Sequence, residues 1–380
     1  MRTVALVVLA VACTKSRPPV ERDPTPASAS TPDSAAPAPT VTVTCAPVAS
    51  SSVSRYGSTG TVLRDGRVLL VGSTVHDHSG PYSPVVEAFD PATHAVAKLA
   101  PLRLGRALHS AVRLDDGRVL IVGGESDDPK NKSGLSAAAE IYDPTANRWT
   151  SIAPIPRGAV GLALTTLRDG RVMLAGGDLE WKSAKLASAF TLDPKTMRWS
   201  PLPEAPRSRA GALVPMADAR VAFAGDTMDW YGNTSPEIDV FDPSAGAWTS
   251  LPSPRPGAVF EKIVRVSNTE LALFGHEETD SGSTPRLVLA DTSLTKARDL
   301  PLPAPGDAPD GAFALAGVLY AFGSRGLHRW DAPRAAWAQL ANFSPDGCTT
   351  VVPIEGPPAR VLFAGACNDR DQGALVVCDL

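Results

Sequence analysis

A unit of about 50 residues recurs from near residue 50 to the end of the chain. No other feature restricts the fold as much, because units too small to bury their own apolar faces must stack on one another. The best-preserved copy shows the parts. His109 to Leu114 alternates like a strand, Asp116-Gly117 supplies a tight hairpin turn, and Arg118 to Val122 forms a second strand closed by Gly123-Gly124. After a polar loop, Ala138 to Tyr142 reads as a third strand ending in Asp143-Pro144. Trp149 to Ile152 is then a fourth, ending in Ala153-Pro154.

The same marks return in phase. The Asp-Gly turn appears at Asp65-Gly66, Asp116-Gly117 and Asp169-Gly170, with degenerate versions near Asp218, Asn268 and Gly317. The glycine closing the second strand appears at Gly72, Gly123, Gly176, Gly225, Gly275, Gly323 and Gly365. An aspartate follows the third strand at Asp90, Asp143, Asp193, Asp242, Asp291, Asp331 and Asp379, and six residues later stands Trp149, Trp199, Trp248 or Trp337. Four tryptophans at one phase are not an accident of composition.

Four strands per unit, Gly-Gly after the second, and a Tyr/Phe-Asp-Pro…Trp signature between the third and fourth resemble the kelch repeat of β-propellers. The resemblance implies an all-β, seven-bladed ring over about residues 40–380, in which the tryptophans and paired glycines pack blade on blade. The seventh unit reaches Leu380 one residue after Asp379, so its fourth strand must come from elsewhere. Thr40-Val41-Thr42-Val43-Thr44-Cys45 alternates strictly and runs into Ala46-Pro47-Val48, matching Ile152-Ala153-Pro154-Ile155. A strand at about residues 40–48 is therefore expected to complete the last blade and remove its open edge.

The cysteines fall where that closure needs them. Cys45, Cys348, Cys367 and Cys378 all belong to this composite blade, and an even number in an exported chain reads as disulfides. Cys348 pairs naturally with Cys367, leaving Cys45 for Cys378, although repeat alignment sets Thr42 opposite Cys378. No CxxC spacing suggests a metal site instead.

Cys13 has a different setting. Met1-Arg2 and the apolar run Val4 to Ala12 have the form of a secretory signal peptide, too short to span a bilayer. Leu9-Ala10-Val11-Ala12-Cys13 resembles the lipobox of bacterial lipoproteins, which implies cleavage after residue 12 and lipidation of Cys13. The Pro- and Ala-rich stretch over residues 13–39 cannot build a core and reads as a disordered tether, extending by ~3.1 Å per residue. The expected location is the bacterial cell envelope, lipid-anchored and periplasmic or surface-exposed, or else secretion, with the membrane engaged through the anchor alone.

Composition narrows the partners. The net charge of −4 provides no overall basic field, so nucleic acid is not an expected partner. In the repeat, loops after the second strands and segments leading into the first strands share one face. Arg55, Arg106, Arg157, Arg209 and Arg255 stand before successive first strands, and a ring of guanidinium groups would suit a carboxylate or phosphate ligand. The kelch pattern commonly carries Arg here, and the competing reading is a bond to the backbone of an adjacent blade. Trp181, Trp230, Tyr231 and Tyr82 lie on the loops, where they would stack on a sugar or peptide, or cover a neighbouring blade. His76-Asp77-His78 has metal-ligand residue types but no nameable third ligand. His109 reads as structural, and His94, His276 and His328 have no evident partners.

No nucleophile elbow, phosphate loop or zinc signature is present. The tyrosines and cysteines do not form the arrangement of galactose-oxidase-like copper enzymes, and the acid/base residues of the sialic-acid mutarotase map onto no motif. The expectation is a monomeric binding or recognition scaffold for a protein or glycan partner, with no cofactor and no catalytic residues named. A carbohydrate-active enzyme of one of those two propeller types is the alternative.

Overall fold

A computed structural model describes residues 43–380 except 75–80, 129–132, 181–183, 228–234, 280–281, 305–307, 343–349 and 366–372. Seven four-stranded antiparallel sheets follow one another around a ring. Blade 1 comprises Thr59–Val62, Val68–Ser73, Ser83–Phe89 and Val96–Lys98, and blade 2 comprises Ser110–Arg113, Val119–Val122, Ala139–Asp143 and Arg148–Ile152. Blades 3 to 6 repeat this order, with first strands Ala163–Thr166, Ala210–Pro215, Ala258–Arg265 and Gly311–Leu315. First strands of consecutive blades touch all the way round, including Thr59–Val62 against Thr350–Ile354 of blade 7, so they form the inner wall.

Period-two alternation explains the ring. In blade 1, Leu69 and Val71 point into an apolar cluster shared with Ala111, Ile121 and Trp149 of blade 2. The intervening Val68 and Leu70 point the other way, into a cluster with Val352, Leu362 and Leu375 of blade 7. Each sheet is thus apolar on both faces, and only stacking on two neighbours removes both from water. Similar clusters join the remaining neighbouring pairs.

The tryptophans add a directional link. Trp149 Nε1 donates to the Ala100 carbonyl just beyond the preceding blade's fourth strand, at 2.8 Å. Trp199, Trp248 and Trp337 repeat the bond to Ala153, Pro203 and Pro301 at 2.7–2.9 Å. One indole therefore buries its ring and finds a partner for its N–H across the blade boundary.

The amino-terminal strand closes blade 7 as expected, hydrogen-bonded in the order Cys45–Ser50, Ala374–Asp379, Arg360–Ala364, Thr350–Ile354. Its bounds and register correct the sequence expectation. The paired strand is Cys45–Ser50 rather than about 40–48, and Cys45, not Thr42, stands opposite Cys378, to which it is disulfide-bonded. Val43 is instead drawn between blades 6 and 7, buried, with its N–H on the Leu340 carbonyl. That anchor slides the strand by three residues relative to the repeat alignment, and an irregularity between Pro47 and Ala49 absorbs the rest. Cys13, Cys348 and Cys367 lie outside the described residues. Among the described residues no helix is long and apolar enough to cross a membrane.

Candidate binding face

The two faces of the ring are built differently. On one, first and second strands are joined by tight turns in which Asp65, Asp116, Asp169 and Asp218 each accept the backbone N–H and bind the side chain of the Arg two residues later. The opposite face carries the long connections: second to third strand, and the segments leading into each first strand. Blade 5 raises its second and third strands above it as a long hairpin, Glu270–Thr279 with Gly282–Asp291, and blade 3 adds a small sheet, Asp178–Glu180 with Ala184–Lys185.

Beneath this loop face lie three of the five arginines singled out by sequence. Arg55, Arg106 and Arg209 are at most 1% exposed and pair with Glu87, Glu140 and Asp239 on the third strand of their own blade. Each also donates to a carbonyl of that blade, Gly72, Ala138 or Gly225. The expected ligand ring is therefore corrected, as is the adjacent-blade alternative: these guanidinium groups brace the loop roots from within. Burial lowers the pKa of all three, opposed by the paired carboxylate, and arginine stays a cation throughout.

Blade 1 completes its pair with the segment after the closing strand. Ser51 and Ser52 donate their hydroxyls to Glu87 at 2.7 and 2.6 Å, and Arg55 Nε donates to Ser51 Oγ at 2.8 Å. Desolvation opposes ionisation of Glu87, but these serine bonds and Arg55 outweigh it and hold the carboxyl below its usual range. Blade 4 does the same with Ser250 and Arg207, both 2.8 Å from Asp239 Oδ1.

Arg157 and Arg255 do not join this set. The carbonyl accepting from Gly124 N is that of Ala159, whereas the corresponding bonds after the second strands of blades 1 and 3 go to Arg106 and Arg209. Ala159 thus occupies the arginine position of blade 3, packed in an apolar cluster with Phe190, which replaces the carboxylate. Arg157 sits two residues upstream and is exposed. Arg255 is part-exposed, 3.5 Å from Asp299.

Tyr82 bridges blades 1 and 2, its hydroxyl donating to Glu125 at 2.9 Å, and burial with that carboxylate raises its pKa. Tyr82 thus reaches a neighbouring blade. Trp181, Trp230, Tyr231, His76 and His78 lie outside the described residues. Among the described residues no three His, Cys, Asp or Glu side chains are grouped to hold a metal ion.

One cluster was not legible in the sequence. Glu261 is the extra residue of a β-bulge in the inner strand of blade 5, between Phe260 and Lys262. Its carboxylate lies 2.9 Å from His276 Nδ1, while His276 Nε2 is 3.4 Å from Glu278. Arg286 pairs with Glu277 on the same hairpin at 2.7 Å. The two partners of His276 are contributed by register and bulge, which no motif records; only the unusual length of the polar run Gly275 to Ser283 hinted at them.

No family model matches the chain. It is 29% identical over 161 residues to Kelch-like protein 36 of Mus musculus, covering 41% of this chain and 25% of that protein. It is 30% identical over 110 residues to Beta-scruin of Limulus polyphemus, covering 27% of this chain and 11% of that protein. Kelch-like protein 40 of Mus musculus is 31% identical over 99 residues, 26% of this chain and 15% of that protein. The matched segment thus spans only a quarter or less of these relatives. Among solved structures, that of YjhT superposes with a TM-score of 0.53 at 15% identity, covering 76% of this chain and 98% of that one, a likeness of fold. Seven radial four-stranded blades make the chain a β-propeller, and its repeats, with their phased Asp and Trp positions, are similar in part to those of kelch proteins.

Proposed function

We propose that the chain is a recognition scaffold whose loop face binds a protein or glycan partner in the cell envelope, held there by a lipid on Cys13. The observation that carries this reading is the contrast between the faces. Among the described residues the strands on one side are joined by tight turns and on the other lead into connections of unequal length and composition, whose roots are fixed by the buried pairs Arg55–Glu87, Arg106–Glu140 and Arg209–Asp239. A rigid base under variable loops is the arrangement that lets a scaffold hold function on its connections. Kelch propellers as a class supply the precedent for a protein partner.

The Glu261–His276–Glu278 cluster favours a second reading, a carbohydrate-active enzyme using the same face. A carboxylate within hydrogen-bond distance of an imidazole is a competent proton-transfer pair. The two readings separate in one experiment. The full chain is incubated with sialic and uronic acids while anomeric exchange and product formation are followed by NMR, in parallel with Glu261→Gln. The scaffold reading expects no acceleration over buffer, and crosslinks to envelope partners from probes at the blade 5 hairpin but not at the Asp-Gly turns. Turnover lost in the Glu261 variant would overturn it.

A further inference from the structure

The arginine ring expected at the loop face has a counterpart at the opposite mouth. Register fixes the level: Val62, Arg113, Thr166 and Pro215 each pair with the first residue of the following strand and Arg265 with the second, so they lie together at the turn end of the inner wall. Two residues beyond Val62 and Thr166 stand Arg64 and Arg168, both exposed. Every one of these arginines reaches across a blade boundary. Arg64 donates to the Asp115 carbonyl and Arg113 to that of Val62, at 2.7 Å, across the boundary of blades 1 and 2. Arg168 donates to the Ala217 carbonyl and Arg265 to that of Pro215, at 3.2 Å, from either side of blade 4.

We propose that this inner rim, Arg64 and Arg113 on one side and Arg168 and Arg265 on the other, binds a multivalent oxyanion carrying phosphate or carboxylate groups. Backbone carbonyls, and for Arg265 also the Asn268 amide oxygen, orient the four guanidinium groups without neutralising them. The arginines of the surrounding Asp-Gly turns are already paired within their turns, as Asp65–Arg67, Asp116–Arg118 and Asp169–Arg171. Glu355 is the carboxylate that faces Arg113, and the four cations stand on a chain whose net charge is −4. Nε and Nη2 of Arg113 and the remaining N–H groups of Arg64 and Arg168 are uncommitted donors with the fork geometry that oxyanions accept. Burial first, and then the neighbouring arginine, lowers the pKa of Arg113 beside Arg64 and of Arg265 beside Arg168, as expected of cations held close to one another. Such repulsion is relieved when an anion arrives between them.

The test is calorimetric titration of the full chain with sodium tripolyphosphate and, separately, with citrate. Saturable binding with a dissociation constant below about 1 mM at low salt is expected, weakening as salt is raised. Arg64→Gln with Arg168→Gln, both at exposed positions, should weaken it by about tenfold or more, and Arg157→Gln on the other face should leave it unchanged. Binding of tripolyphosphate alone assigns phosphate as the source of the oxyanion, and binding of both admits clustered carboxylates. Absence of saturable binding to either probe, or equal binding by the double variant with an unchanged melting temperature, would overturn the proposal.

Discussion

The Arg106 guanidinium and the Glu140 carboxylate meet at a single point, Nη2 to Oε1 at 2.5 Å, while Nε of the one and Oε2 of the other have no hydrogen-bond partner among the described residues. In blade 1 Arg55 Nε donates to Ser51 and Glu87 Oε1 accepts from Ser52, and in blade 4 Arg209 Nε donates to Asp239 Oδ2 while Oδ1 accepts from Ser250 and Arg207. Blade 2 therefore holds the least supported of the three buried pairs. Glu140→Gln leaves a buried cation unneutralised and should cost ~3–5 kcal/mol. Arg106→Ala with Glu140→Phe, which copies Ala159 and Phe190 of blade 3, should recover a large part of that loss. A double-mutant cycle in urea checks both, and a double variant no better than Glu140→Gln would contradict the account.

Closure by the disulfide between Cys45 and Cys378 spans 333 residues of chain. Constraint of so long a loop in the unfolded state places its contribution toward the upper end of the usual range, ~4–5 kcal/mol. Cys45→Ser should lower the melting temperature by several degrees under non-reducing conditions. Deleting residues 43–50 should do more, since it also removes Val43 from the apolar cluster between blades 6 and 7 and reopens the edge of Ala374–Asp379. Deleting residues 13–39 should change the melting temperature little, and equal effects of the two deletions would refute closure.

Ala219 occupies the turn position that Gly66, Gly117 and Gly170 fill in the first three blades, at φ +76°. A residue with a Cβ is disfavoured in that region, so Ala219→Gly should stabilise the protein by up to ~1 kcal/mol. The mirror change Gly66→Ala, where a Cβ would meet nothing within 4 Å, should cost a similar amount through the backbone alone. Chemical denaturation of both variants measures the pair, and effects of the same sign would exclude a backbone origin.

His109 is fully buried, with Nε2 2.8 Å from Thr59 Oγ1 across the boundary of blades 1 and 2. Burial first and then the charge of Arg106 depress its pKa from the usual 6.5 to about 3. The unfolded chain therefore binds a proton that the folded chain refuses. Stability contributed by the neutral ring is complete above pH 6.5 and is lost as pH falls from there toward about 3, by up to ~1.4 kcal/mol per pH unit. His109→Asn, measured against the parent from pH 7 to pH 4.5, should show a shallower decline. Glu87, whose pKa is lowered, adds its own loss only as pH falls below the ordinary carboxylate range. Parallel curves for the two proteins would remove His109 from the acid response.

How much of this was legible in the sequence differs by element. The ring, its seven blades and the closing strand follow from periodicities of two and about 50 residues, because a sheet apolar on both faces has no stable solution except neighbours on both sides. The tryptophan phase announced a contact between blades, and Trp149 to Ala100 is that contact. The closing register was misjudged by three residues, since alternation in Thr40 to Cys45 is equally regular in either frame and only the burial of Val43 chooses between them.

Sites were less legible than fold. Five arginines before five first strands look alike in sequence, yet Arg55, Arg106 and Arg209 are buried where a third-strand carboxylate awaits them, and Arg157 is not, because Ala159 and Phe190 occupy that place in blade 3. Arg64 and Arg168 immediately precede Asp-Gly turns, a position that says nothing of their partners, and they come near Arg113 and Arg265 only because the ring sets blade 1 beside blade 2 and blades 3 and 5 on either side of blade 4. Local pattern determines which strands form and which faces are apolar, since these depend on neighbours in the chain. Which charges are neutralised, and which are left facing one another, depends on residues 30 to 51 apart, and only the folded ring decided that.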